Sequence, residues 1–276
     1  MAAPESTRPE PERRLALVTG ASAGLGEAFA RAYAARGFDV ALTARRVDRL
    51  EALASELKRE HSVEALVIPA DLAVWEAEQL IMAPLHAAGR HVDVLVNNAG
   101  FGVAQTFTGA PWTRQRDFLM TLVVNACALA HAVIPGMVER RWGRIINVAS
   151  LAAFAPGAAG HSLYPGAKSL AVKFSQSLNA ELRDKGVKVT AVCPGFTKTE
   201  FAAAEGTQHL MDQAPRHFWQ TPEQVVEAAI AANERGKVVE VPGWHNKLAV
   251  ALLKGLPEPL ISALIARGGA QYRLED

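Results

Sequence analysis

The stretch Leu15-Ala16-Leu17-Val18-Thr19-Gly20-Ala21-Ser22-Ala23-Gly24-Leu25-Gly26 decides the fold of this 276-residue chain. Leu15 to Thr19 reads as a buried strand, short and continuously apolar up to Val18, as cover on both faces requires. Three glycines then mark the passage into a helical pattern that runs from Gly24 to Arg36 and stops at Gly37. Glycines at such a junction permit a tight turn, close approach of an anion to the backbone, and close packing of helix on sheet. The free N–H groups of the helix start point at the same place. The spacing is Gly-x-x-x-Gly-x-Gly, not the Gly-x-Gly-x-x-Gly of most dinucleotide folds. Alone it fits an ordinary glycine-rich turn; its position after the first strand favours a nucleotide site.

Outward from this junction, short apolar runs alternate with longer amphipathic ones. Strands are expected at Asp39–Thr43, Ala65–Ile68, Val92–Val96, Gly143–Ala149, Val187–Val192 and Val238–Val241. Helices are expected at Arg46–Glu60, within Ala73–Ala88, within Trp112–Arg141, at Ser162–Lys185 and at Pro222–Arg235. This alternation implies an α/β fold: a doubly wound, Rossmann-like parallel sheet of about seven strands, with helices on both faces. Ligands of such sheets bind beyond the carboxyl ends of the strands, where strand order reverses.

Composition narrows the function. With 50% hydrophobic and 21% charged residues the chain suits one large core, and its net charge of +1 gives a nucleic-acid partner no electrostatic support. Cys127 and Cys193 sit in apolar segments, which fits buried thiols in a reducing, cytoplasmic compartment better than a disulfide or metal site. No uninterrupted apolar run is long enough to predict a membrane span. Residues 1–13, rich in Pro, Glu and Arg, read as a disordered leader, 14–242 as the dinucleotide-binding and catalytic domain, and 243–276 as a helical extension of it.

The chemistry-bearing residues fall at the expected strand ends. After the second strand comes Thr43-Ala44-Arg45-Arg46, with no acidic residue to bind a ribose 2′-hydroxyl. A guanidinium at Arg45 suits a 2′-phosphate, which points to NADP. Asp71 and Leu72 follow the third strand, where an adenine would lie. Asn97-Asn98-Ala99-Gly100 ends the fourth, with amides able to pin backbone and a glycine that leaves room for a ring. Asn125 interrupts the apolar run Leu122–Leu129, and a buried amide there needs partners. Ser150 closes the fifth strand. Tyr164 and Lys168 stand four positions apart, on one helix face. Phenol normally titrates near ~10, and a lysine cation beside it favours the phenolate.

Thr19–Gly26, Asn97–Gly100, Ser150, Tyr164–Lys168 and Pro194-Gly195-Phe196-Thr197-Lys198-Thr199, occurring in this order, resemble the single-domain short-chain dehydrogenases/reductases. The resemblance covers roughly Arg14 to Pro242. It implies hydride transfer between a nicotinamide and a carbonyl or secondary alcohol. Tyr164 would be the general acid/base, Lys168 would assist it and hold the ribose, Ser150 would polarise the substrate oxygen, and Asn125 would anchor a relay water. Cofactor contacts would come from Gly20, Ser22, Gly24, Leu25, Gly26, Arg45, Asp71, Leu72, Asn98, Ala99, Gly100, Tyr164, Lys168, Pro194, Gly195, Thr197 and Thr199. The expected cofactor is NADP (NADPH), with no metal; the partners are a small carbonyl or alcohol substrate and further copies of the chain, as a homodimer or homotetramer. Ketone, 3-oxoacyl and steroid-like substrates are the expected range. A non-catalytic NADP sensor or scaffold and an NAD-linked alcohol dehydrogenase are the alternatives.

Two details depart from the family pattern. Pro165-Gly166 follows the tyrosine, where small residues such as Ser or Ala are usual; a proline is tolerated in a first helical turn, so the helix is expected to begin near Ser162 as N-cap. Ser150 also precedes Tyr164 by fourteen positions, one more than usual. Phe196 to Gln220 is the expected substrate loop, with Phe154, His161, Phe201, Phe218 and Trp219 as candidate pocket walls. In the tail, Lys247–Lys254 and Leu260–Arg267 form apolar patches around Pro257 and Pro259, expected to pack on the protein itself.

Overall fold

The computed structural model describes residues 13–103, 105–157, 160, 162–201, 218–257 and 261. The elements run β1 (Leu15–Thr19), α1 (Gly24–Ala34), β2 (Asp39–Thr43), α2 (Val47–His61), β3 (Ala65–Val67), α3 (Ala77–Ala87) and β4 (Val92–Asn97). They continue α4 (Trp112–Leu119), one π turn (Met120–Val124), α5 (Asn125–Glu139), β5 (Gly143–Val148), a 3-10 turn (Leu151–Phe154), α6 (Tyr164–Leu182), a second 3-10 turn (Arg183–Lys185) and β6 (Val187–Val192). The last elements are α7 (Pro222–Glu234), β7 (Val239–Glu240) and α8 (Trp244–Gly255).

The strands form one parallel seven-stranded sheet in the order β3-β2-β1-β4-β5-β6-β7. Continuous apolarity is needed because both faces are covered, and the two-residue period divides each strand between them. Ala16 and Val18 pack toward α1, α2 and α7, while Leu15 and Leu17 pack toward α3, α5 and α6. Each of these four side chains is fully buried. Truncating Leu15 or Leu17 to alanine would typically cost about 2–5 kcal/mol. The order reverses between β1 and β4, so the loops after these two strands open side by side.

Several local ends have clear causes. Thr221 caps α7 in a reciprocal capping box with Gln224, and Pro222 occupies the first turn. The start of α6 differs from the sequence expectation: the helix begins at Tyr164, behind Leu163, and Ser162 makes no cap. With Ser162 as N-cap, the third helical position would be Pro165, which has no N–H to donate.

The helical stretch Trp112–Glu139 is long and apolar enough to cross a membrane, with mean hydropathy 1.9 in its best window. Its apolar pattern is interrupted by Asn125 and His131, which is why no span is expected from continuous runs. It is the crossover from β4 to β5, and Leu129, Val133 and Met137 bury against the sheet. Only 33% of that window is buried within the chain. Helix α8 buries Asn246 and Val250 but leaves Trp244, Leu248 and Leu252 exposed. Most of Leu260–Arg267 and residues 1–12 of the expected leader lie outside the described residues.

Candidate active site

The glycine-rich turn is held by the loop after β4. Thr19 Oγ1 donates to Val96 O at 3.1 Å and accepts from the N–H groups of Asn98 and Ala99 at 2.9 and 3.0 Å. Asn98 Nδ2 donates to Thr19 O at 2.8 Å and to Gly20 O at 3.4 Å. There is no space for larger residues: a Cβ on Gly26 would lie 2.1 Å from Gly20 O and 2.6 Å from Asn98 Nδ2. Gly24 has φ +58°, and the Thr199 side chain stands 3.1 Å from where its Cβ would be. Helix α1 starts behind Ala23 with no side-chain cap, so its first N–H groups face the turn without an internal acceptor. An uncapped helix start, a glycine cradle and nearby cations suit a dinucleotide pyrophosphate.

The two amides of the Asn97-Asn98 pair divide their work. Asn98 grips the cradle, whereas Asn97 is buried and donates to Ala126 O and to Asn147 Oδ1, both at 3.0 Å. Asn147 passes the network on to Ser175 Oγ at 2.8 Å. Gly100 faces Leu122, with its ideal Cβ 3.3 Å from Leu122 Cγ.

Arg45 is exposed at the end of β2, and Arg46 makes the contact with the cradle: its Nε and Nη2 donate to Ser22 Oγ at 3.2 and 3.1 Å. The loop after β3 lies alongside, tied by Ala70 N–H donating to Ala44 O at 3.2 Å. Asp71 is exposed and accepts from Ala73 N–H at 3.0 Å; Leu72 is buried.

The second half of the site surrounds Tyr164 and Lys168 in the first turns of α6. Lys168 is only 7% exposed. Its Nζ donates to Val148 O at 2.8 Å and lies 5.6 Å from the centre of the Tyr164 ring. A buried ammonium needs such an acceptor to offset desolvation. The Tyr164 ring packs between Phe118 and Phe201, with centroids 6.4 Å away in both cases. Phe101 packs edge-on to Phe118 at 5.8 Å and extends the aromatic wall.

Ser150 Oγ accepts from Ala152 N–H at 3.2 Å and caps the 3-10 turn, leaving its hydroxyl hydrogen as a donor. That turn is fastened to α6 by Ser169 Oγ donating to Ala153 O at 2.7 Å. The extra residue between Ser150 and Tyr164 falls in a segment that includes the undescribed Ala158, Ala159 and His161, so the expected His161 wall lies outside the described residues.

Asn125 sits where the π turn returns to α-helix. Its N–H bonds to Met120 O, and its Nδ2 donates to Leu72 O at 2.9 Å and Val74 O at 2.8 Å. Its Oδ1 is buried and has no hydrogen-bond partner. A cavity lined by Asn97, Thr121, Asn147 and Lys168 lies behind the lysine.

Pro194-Gly195 leaves the end of β6 beside Ser150, with Leu151 N–H donating to Pro194 O at 3.0 Å. Thr197 Oγ1 turns inward to Gly195 O at 3.0 Å. Phe196–Lys198 pairs with Gln220 in a short parallel bridge. Phe154 packs with Lys254 4.9 Å over its ring, Phe196 stacks near Trp219 at 5.8 Å, and Phe218 contacts His245 at 5.5 Å.

Three participants escape a sequence reading. Asn246 is buried beneath Gly195, where a Cβ would lie 2.5 Å from its Oδ1, and donates to Gln220 Oε1 at 3.0 Å. Arg49 and Glu200 meet across the mouth of the cradle. Only the polarity of Asn246 within an apolar tail could have marked it. Cys193 follows β6 and is buried; burial pushes its thiol up to about 12, which Lys168 nearby only partly opposes. It stays protonated and unreactive near neutrality. Both cysteines are free thiols, and among the described residues no acidic, histidine or cysteine cluster suits a metal.

The short chain dehydrogenase pattern matches residues 14–210. The chain is 36% identical over 256 residues to an uncharacterized oxidoreductase of Myxococcus xanthus (strain DK1622), covering 92% of this chain and 97% of that protein. It is 35% identical over 201 residues to the serine 3-dehydrogenase of Rhizobium radiobacter, covering 71% and 78%. A short-chain dehydrogenase from Sphingobium yanoikuyae in complex with NADPH has a similar structure, with TM-score 0.79 and 30% identity over 95% of this chain and 96% of that one.

Proposed function

This chain belongs to the short-chain dehydrogenase family, and on that premise we propose that it is an NADP(H)-dependent reductase of apolar ketones with Tyr164 as general acid. The observation that carries this reading is the buried Lys168, held by Val148 O one helical turn from Tyr164. Structural packing alone gives no reason to bury an ammonium there.

The residues of the cradle fit the cofactor: α1 offers uncapped N–H groups, Gly20 and Gly24 admit close approach, and Arg45 and Arg46 supply guanidiniums for a 2′-phosphate. NADPH in the Sphingobium relative supports the same choice. When bound, the nicotinamide supplies or accepts the hydride. Ser150 donates its hydroxyl hydrogen to the carbonyl oxygen, so charge developing there is stabilised. Tyr164 then delivers its proton to that oxygen. Lys168 stabilises the phenolate left behind, because its ammonium is fixed beside the ring. Reprotonation runs through a relay water that the buried, unpartnered Oδ1 of Asn125 would hold.

The half-buried rings of Phe101 and Phe201, backed by the buried Phe118, favour an apolar carbonyl compound. The half-buried apolar surface of Trp112–Glu139, with Trp112, and Leu170 of α6, exposed, supports pairing of copies into a homo-oligomer. The free, protonated thiols are compatible with a reducing cytoplasm.

The test is a panel of ketones, including long-chain 3-oxoacyl and steroid compounds, assayed with NADPH and with NADH. Oxidation of NADPH by an apolar ketone, with clear preference over NADH, is expected. Equal use of NADH would contradict the cofactor reading. No turnover across the panel in either direction would contradict the enzyme reading.

A further inference from the structure

The cations at the mouth of the cradle are already engaged. Arg49 Nη1 donates to both oxygens of Glu200, at 2.9 and 2.8 Å, and Arg46 Nη1 reaches Glu200 Oε2 at 3.1 Å. The other edge of Arg46 is on Ser22 of the glycine-rich turn. Two guanidiniums thus converge on one carboxylate, and one of them also holds the Ser22 hydroxyl of the cradle. This is also the donor set that recognises a phosphate dianion. Arg49, then Arg46, holds the Glu200 carboxyl below the usual carboxylate range, so it carries its charge at neutral pH. Glu200 comes from a different part of the chain, at the end of the segment whose Thr199 packs on Gly24. Its neighbour Phe201 packs on the ring of Tyr164.

We propose that Glu200 is an internal competitor for the cofactor's 2′-phosphate: it bridges Arg46 and Arg49 until the phosphate takes its place, and so sets how strongly a 2′-phosphorylated cofactor is preferred. The inference rests on the NADP reading above and goes beyond it by naming a residue that lowers the preference. A carboxylate and a phosphate dianion cannot share one pair of guanidiniums without repulsion. The exchange also pulls on residues 200 and 201 together, which links the phosphate end of the cofactor to the wall beside Tyr164. The side chains are exposed, 44% for each arginine and 56% for Glu200, so the competition is modest and screened by salt.

The experiment is calorimetric titration of the full chain with 2′,5′-ADP and with ADP at low ionic strength, for wild type, Glu200→Gln and Glu200→Ala. Neither ligand carries a nicotinamide, so the readout is independent of turnover. Both variants are expected to bind 2′,5′-ADP about threefold to tenfold more tightly, with ADP affinity unchanged. The tightening should shrink as salt is added. Unchanged or weaker 2′,5′-ADP binding in the variants, with wild type still preferring it to ADP, overturns the competition alone. No preference for 2′,5′-ADP in any of the three proteins overturns the NADP reading, and the competition with it. An equal change for both ligands also overturns the proposal, because the effect would then not involve the 2′-phosphate.

Discussion

The two halves of the site are built differently. The cradle between β1 and β4 is close-packed backbone gripped by two short polar side chains: Thr19 Oγ1 and Asn98 Nδ2 each bond main-chain groups of the opposite loop, with no space for a single added carbon at Gly26. The half around Tyr164 is defined by side chains, with aromatic ring centroids 6.4 Å apart and the backbone pinned at Phe196–Lys198 and Gln220. A cofactor with fixed geometry suits the first arrangement. A substrate side that can vary by exchanging rings suits the second.

The sharpest way to break this contrast is Gly26→Ala. Its Cβ would strike Gly20 O at 2.1 Å, and the contact is backbone, which cannot swing away. Cofactor binding is expected to be abolished and stability to fall by about 3 kcal/mol, measured by calorimetric titration and denaturant unfolding. Retained binding would show the cradle to be softer than its packing implies.

Asn125→Ala tests the join between the halves. It leaves the carbonyls of Leu72 and Val74 without their donor, at a cost of about 2 kcal/mol. A loss under about 0.5 kcal/mol would mean that water replaces the amide freely.

Away from both halves, Glu234 pairs with Arg144 through two contacts of 2.9 Å. Burial raises the Glu234 pKa, but the Arg144 hydrogen bonds and charge outweigh it and leave the carboxyl below its usual value of 4.5. Its folded pKa is therefore the lower one. The contribution is complete above the unfolded value and is lost as pH falls through the folded one. Glu234→Gln should cost about 1 kcal/mol at neutral pH, after discounting for its half-exposed carboxylate, and the difference from wild type should shrink in acid. A difference that grew in acid would contradict this assignment.

On the substrate side, Phe201→Ala should change stability by less than about 0.5 kcal/mol and leave NADPH affinity intact, while raising KM for an apolar ketone several-fold. A large stability loss would place Phe201 with the core instead of the pocket.

This division also explains what could be read from sequence. The strands and the cradle are local patterns: Leu15–Val18 is continuously apolar, and Gly20–Gly26 carries its spacing within one turn. The pair Tyr164 and Lys168 is similarly local, being one helical turn. By contrast, the π turn at Met120–Val124 arises where α4 meets α5, with Asn125 tethered to the loop after β3, and no local periodicity announces it. The pairing of Glu200 with Arg46 and Arg49 spans about half the chain, and Asn246 acts through Gly195 and Gln220. The Ser162 cap failed for a local reason that the sequence did contain, since Pro165 removes the donor such a cap would use.

The central claim is that Tyr164 moves the proton, and the direct measurement is single-turnover reduction by Tyr164→Phe with NADPH binding titrated on the same preparation. NADPH affinity is expected to stay within about twofold of wild type, because the ring and its packing are kept, while turnover falls by about a thousandfold or more. Turnover within about tenfold of wild type, with binding intact, would contradict the account.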